Sequence, residues 1–315
     1  MPEDSTAPGF SGLTIAGKRY VTVERWSRRR TVRWGVFWVF AGASVLAFLV
    51  RSSLTLLLWQ ATLVFCIGFI LWPIFHGTYL LHKNQSLQLQ AGYSVAGDLS
   101  LEEFPHYQTS ALQQLGFTFV GCLEKKPNDP RVITNVAIFV REENGDSAQL
   151  ASVRNSLGTT HLVVFVTRFR SGLVLETSNS FQMPMFHPKP RFRSFRFPQV
   201  RTTSDLYLLH RAITKEYDAT RTRLRETPEN ALINFIEAAE ENHSLNMEQG
   251  DYKLNMLGNQ YVFTWRGAFR RSFLRAWPMS SIRQMRVYSQ AKKKCAQLGF
   301  SINPKLGRIA PIEKS

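Results

Sequence analysis

Residues 132–177 read VITNVAIFVREENGDSAQLASVRNSLGTTHLVVFVTRFRSGLVLET. Val132–Val140, Gln149–Arg154, Leu162–Phe169 and Leu173–Thr177 are rich in β-branched and aromatic residues and follow the period of two that marks strands. Glu143-Asn144-Gly145-Asp146, Gly158 and Arg170-Ser171-Gly172 stand between them as turn chemistry. Upstream, Phe117–Leu123 reads as a further strand, set off by Pro127-Asn128-Asp129-Pro130. These connections are too short for crossover helices, so the predicted sheet is an antiparallel meander.

Helical periodicity flanks the strands. Phe104, Tyr107, Ala111, Leu112 and Leu115 recur at three- and four-residue spacing. Either a Ser100/Glu103 capping box or Pro105 starts that helix, and Gly116 stops it. Ser204 is a candidate cap for a helix through about residue 225, with Leu206, Leu209, Ile213, Tyr217 and Leu224 on one face. Thr227-Pro228 opens another, carrying Leu232, Phe235, Ile236 and Ala239 inward. A helix, then strands, then helices is an α+β order, and residues 98–300 are expected to form that domain.

The N-terminal part reads differently. Trp34–Val50 is an uncharged run of 17 residues, and Leu54–Tyr79 follows after Arg51-Ser52-Ser53. Membrane helices need about 20 apolar residues, so residues 34–81 are expected to form a two-helix transmembrane hairpin. The second long run contradicts a cleaved signal peptide. Arg25, Arg28, Arg29, Arg30 and Arg33 precede the first run, against Arg51 alone between the runs. The positive-inside rule then places the tail 1–33, the linker 82–97, the α+β domain and the tail 301–315 on the cytoplasmic side.

The 39 Lys/Arg and 23 Asp/Glu give a net charge of +16, unevenly spread. Residues 1–83 carry +6, residues 84–251 carry −2 and residues 252–315 carry +12. The charge excess therefore lies at both ends, which points to a membrane surface or nucleic acid. Near the C-terminus, Phe269, Phe273, Ala276 and Trp277 share one face of a short helix ended by Pro278, with Arg271 and Arg275 opposite. The next helix, about 280–298, sets Val287, Tyr288, Ala291, Cys295 and Leu298 against Arg283, Arg286, Lys293 and Lys294. A third basic stretch, Lys189–Pro198, interleaves Arg191, Arg193 and Arg196 with Phe192, Phe195 and Phe197. Such interleaving suits a lipid interface or stacked bases; the plainer reading is a surface loop with its phenylalanines tucked beneath.

Chemistry-bearing motifs are missing. There is no phosphate-cradling Gly-rich loop, no H-E-x-x-H, no G-x-S-x-G and no cysteine pair at zinc spacing. His82, His106, His161, His187, His210 and His243 are isolated in sequence and read as surface or satisfied histidines. Cys66, Cys122 and Cys295 read as isolated thiols. Glu176, inside an otherwise uncharged strand, is the one carboxylate singled out, with an outward-facing strand position as its plain reading. No catalytic, cofactor-binding or metal-ligating residue is assigned.

The expectation is a membrane-anchored, non-enzymatic interaction or scaffold protein. Arg191, Arg193, Arg196, Arg271, Arg275, Arg283, Arg286, Lys293 and Lys294 are its candidate contacts to anionic lipid, to a protein partner or second copy, or to nucleic acid. Membrane-tethered nucleic-acid binding and an enzyme with an unrecognised site are the alternatives.

Overall fold

The computed structural model describes residues 53–83, 89–90, 93–95, 101–125, 133–155, 158–181, 191–218, 221–255, 260–276 and 278–312. The first apolar run, Trp34–Val50, and Trp277 lie outside the described residues, as does Ser100 of the capping box. Two compact units are present, Met1–Trp72 and Pro73–Ser315.

The second apolar run forms α1, Ser53–Lys83. Within it, Gln60–His82 is long and apolar enough to cross a membrane by length and composition. The stretch expected to be a linker contains two short strands, β1 (Leu89–Gln90) and β2 (Ser94–Val95). They are held by backbone pairing to distant partners and have no periodicity of their own. A 3-10 turn at Leu101–Glu103 leads to α2, His106–Gln114, and Pro105 occupies its N-cap.

The strands predicted by alternation are present: β3 (Thr118–Lys125), β4 (Ile133–Arg141), β5 (Asp146–Asn155), β6 (Gly158–Arg168) and β7 (Val174–Ser178). The cluster expected as a surface loop supplies β8, Phe192–Arg196. Together these make a seven-stranded sheet in the order β2-β3-β4-β5-β6-β7-β8. Neighbours from β2 to β7 are antiparallel, but β7 and β8 run parallel. The predicted meander β3 to β7 is thus antiparallel as expected, and the sheet as a whole departs from an antiparallel one only at β8. The segment from Asn179 to Arg191 is longer than a hairpin turn, and a parallel partner requires such a return.

The sheet is covered on both faces. Helix α3, Thr203–Asp218, buries Leu206, Leu209 and Ile213 in a core with Phe139, Leu150, Phe165 and Leu175. Helix α4, Pro228–Glu248, starts with the Thr227/Asn230 capping box and Pro228 at its first turn. Its Ala231, Leu232, Phe235 and Ile236 pack on Leu123, Val136, Ile138 and Val140 of the opposite face. In β4, Phe139 thus serves one core and Ile138 the other, and the six consecutive residues Asn135–Val140 are buried. Full burial of each Val, Ile or Phe side chain among them stabilises the fold by about 1.5–3 kcal/mol.

The α3 helix stops at Asp218, short of the expected residue 225. The chain after it is claimed by the sheet: Arg223 bridges Phe169, and Leu224 N–H donates to the Arg168 carbonyl at 2.8 Å. Beyond α4, β9 (Tyr252–Leu254) and β10 (Gln260–Phe263) join β1 in a three-stranded sheet ordered β1-β10-β9. Helices α5 (Trp265–Arg275) and α6 (Met279–Gln297) follow. The expected tail holds a hairpin, β11 (Phe300–Asn303) and β12 (Arg308–Pro311). Its Phe300, Ile302 and Ile309 pack against the α3-side core.

Candidate functional site

Three places in the Pro73–Ser315 unit stand out: two gather polar side chains and one gathers exposed aromatic rings. The first lies beneath α3. Asp146, at the start of β5, is fully buried. Its carboxylate accepts from Thr167 Oγ1 at 2.6 Å, Tyr207 Oη at 3.0 Å and Arg223 at 3.2 Å. His210 touches the same Thr167 hydroxyl through Nε2 at 2.9 Å, and Thr177 Oγ1 through Nδ1 at 3.0 Å. The proton positions follow from this geometry. Thr167 gives its only hydroxyl proton to Asp146, so it must accept from His210 Nε2–H. Burial lowers the imidazole pKa to about 4 against the pull of Asp146, so at neutral pH the ring is uncharged and Nδ1 accepts from the Thr177 hydroxyl.

A hydroxyl, a histidine and a carboxylate in one chain resemble the parts of a nucleophilic triad, but the order is wrong for one. The hydroxyl sits between the histidine and the carboxylate, and its proton is already committed. None of these residues lines the cleft described next. The network ties β5, β6, β7 and α3 together, and Arg223 neutralises the buried charge.

The second place is a cleft on the opposite face of the sheet. Cross-strand register aligns Val166, Glu176 and Ser194 in one row across β6, β7 and β8, with Arg168, Val174 and Phe192 in the next. Arg196 follows two residues beyond Ser194 and completes the floor. Phe235, Ala238, Ala239 and Asn242 of α4 form one wall, and Val287, Gln290, Ala291 and Lys294 of α6 the other. The volume is about 680 Å³, within the range of small-molecule sites. Ala238 and Ala239, and Ala291 across from them, are too small to close the gap between the helices and the floor.

The cleft's charges are unequally satisfied. Arg168 lies 3.4 Å from Glu226 and donates to the Asn234 carbonyl at 3.1 Å. Lys294 pairs with Glu216 at 2.8 Å. Glu176 receives a hydrogen bond from Ser194 Oγ at 3.3 Å, and burial raises its carboxyl pKa against the pull of Arg196. The Arg196 Nε is buried without a hydrogen-bond partner. Burial lowers the Arg196 pKa; Glu176 offsets this and the nearby Arg283 adds to it.

The third place is the surface of α5. Trp265, Phe269 and Phe273 fall at four-residue spacing and remain 56%, 45% and 38% exposed. Trp265 stacks on His82 at 4.1 Å, Phe269 meets Phe75 at 6.5 Å, and Phe269 stacks on Phe273. As the α1 partner advances from 75 to 82, the α5 partner retreats from 269 to 265. The two helices therefore run antiparallel along the final turns of α1. Gly77 makes room for this: a Cβ there would lie 3.0 Å from Ser272 Oγ.

The nine candidate basic residues divide among these places. Arg193, Arg275, Arg286 and Lys293 are exposed. Arg191 pairs with Glu241 of α4, Lys294 is held by Glu216, and Arg196 faces the cleft. Arg283 is half-buried and donates to the Leu274 carbonyl at 3.5 Å. Arg271 departs most from expectation. It is half-buried over the Phe263 ring at 4.9 Å, and burial together with the nearby Arg275 lowers its pKa to about 10. Arg271 thus packs on the small sheet and does not share a solvent face with Arg275. The cleft floor combines residues far apart in sequence: Glu176 and Arg196 were each singled out by the sequence, but not as neighbours. Among the described residues no cluster of three His, Cys, Asp or Glu is arranged for a metal ion. The chain matches no family model, no curated protein and no solved structure.

Proposed function

We propose that this chain is a membrane-anchored interaction protein whose α5–α6 surface docks on anionic lipid headgroups. The observation that carries this reading is the antiparallel seam between α5 and residues 75–82. Those residues end the one described helix long and apolar enough to span a bilayer. If that helix crosses, Trp265, Phe269 and Phe273 lie at interfacial depth, where aromatic rings partition favourably. Arg275 and Arg286, on the same two helices, then meet the headgroups. Each basic residue held near an anionic leaflet contributes about 1 kcal/mol. The proposed orientation keeps the two-span hairpin of residues 34–81, with both termini cytoplasmic.

The test uses the full chain reconstituted in vesicles with and without an anionic phospholipid. Phe269→Cys, in a Cys66→Ser background, is labelled with a polarity-sensitive fluorophore; Cys122 and Cys295 are buried and stay unlabelled. Blue-shifted emission, quenched by lipids brominated near the headgroup and more strongly in anionic vesicles, is expected. Water-like emission, unquenched by any brominated lipid, rejects the docking surface. Retardation of DNA or RNA by the same protein, falling steeply with salt, would favour tethered nucleic-acid binding instead.

A further inference from the structure

We infer that the cleft between β6–β8, α4 and α6 is a binding site for a small organic anion, a carboxylate or phosphate monoester carried on an apolar body. This goes beyond membrane docking and does not depend on it. Three observations converge. The volume of about 680 Å³ is open because alanines stand where larger side chains would close it. The floor beside the polar row is apolar, with Val166, Val174 and Phe192 to hold a hydrophobic body.

The third observation is the charge left over. Arg168 and Lys294 are engaged by Glu226 and Glu216 from outside the floor. Arg196 keeps a buried Nε–H without an acceptor. A buried donor in that state lacks a hydrogen bond that an anionic oxygen would supply, and charge-assisted bonds of this type are the strong ones. Glu176 stands beside it with Ser194. In its protonated form its O–H would donate to the same anion, so the carboxyl need not repel the ligand. Arg193 at the rim adds a further positive charge.

The experiment uses the full chain in nanodiscs, with empty nanodiscs subtracted, and calorimetric titration of three probes. These are 2-naphthoate, 1-naphthyl phosphate and the neutral 2-naphthamide. Both anions are expected to bind at least about tenfold more tightly than the amide, since one charge-assisted hydrogen bond is at stake. The ratio between the two anions tells carboxylate from phosphate. Arg196→Gln should weaken both by about tenfold or more. Ala239→Phe, which fills the cleft from its wall and leaves every charge in place, should abolish both while the melting temperature stays near that of the parent. Phe269→Ser should leave both unchanged, which separates this site from the lipid-facing surface. Equal affinity for anion and amide overturns the inference. So does failure of both anions to bind, or binding that survives both Arg196→Gln and Ala239→Phe. In a fourth titration, selective binding of 2-naphthylmethylammonium would also overturn it and reassign the cleft to cations centred on Glu176.

Discussion

His210 makes stability depend on pH in a predictable window. The folded imidazole is enclosed by Thr167, Thr177 and Phe165, with Asp146, Arg223 and Arg211 as the nearest charges. Its pKa is about 4 in the folded chain against 6.5 for an ordinary histidine. Above pH 6.5 the ring is neutral in both states, and its contribution is complete. As pH falls, the unfolded chain takes up a proton that the folded chain refuses, so stability drains away until about pH 4. Each pH unit in that interval is worth about 1.4 kcal/mol at most. Going from about pH 7.5 to about pH 5 should therefore cost about 2 kcal/mol from this residue alone. Other histidines and carboxylates titrate too, so the measurement is a difference. Urea unfolding of the full chain in detergent is followed for the parent and for His210→Gln, which cannot titrate. The parent should be the more stable at neutral pH, and the gap should shrink by about 2 kcal/mol on acidification. Two curves that stay parallel across that range would refute the buried neutral imidazole.

Other perturbations probe the same framework. Asp146→Asn removes the charge that Arg223 and Tyr207 are built around, and should destabilise the domain by about 3 kcal/mol, read as a fall in melting temperature. Gly145→Ala places a side chain at a φ of +68°, with its Cβ 2.8 Å from the Leu224 carbonyl oxygen; a loss of about 2 kcal/mol or more is expected from the strained backbone and the collision. Phe165→Ala, emptying a fully buried site in the α3-side core, should cost about 3–5 kcal/mol in denaturant unfolding. Burial raises the thiol pKa of Cys122 to about 11 and of Cys295 to about 12. Neither should react with a maleimide at neutral pH until denaturant is added, a difference that mass spectrometry reads directly.

Period-two alternation located β3 to β7 because each strand sends side chains of one or both faces into a core. Thr227-Pro228 located the start of α4 because its cap is local chemistry. Other features depend on distant partners. The two-residue strands β1 and β2 are too short to carry a period, and exist because β10 and β3 offer pairing edges. The β11–β12 hairpin turns through Gly307 at a φ of +67°, a requirement no sequence pattern around it announced. The parallel pairing of β8 could not be read from alternation, since alternation reports a strand's faces and not its direction. Glu176 shows the same limit at the site. Its outward-facing strand position was legible, but the α4 and α6 walls that turn that face into a cleft were not. His210 had a usable signal. It falls on the stripe of Leu206, Leu209 and Ile213, which on a helix packed against a sheet means burial, and a buried histidine must find partners. The basic C-terminal helices were legible as amphipathic, whereas the inward turn of Arg271 depended on Phe263, from a strand pairing that the sequence does not reveal.

The ends of the large sheet have a consequence for self-association. Among the described residues, one edge is β2, with only two paired residues, and the other is β8, a five-residue strand bearing Arg193 and Arg196. Over β8, Lys294 of α6 approaches the Phe195 ring at 5.5 Å. A short strand at one end and a charged, partly roofed strand at the other are poor templates for a neighbour's backbone. Copies of the chain are thus discouraged from zipping together through the edges of this sheet.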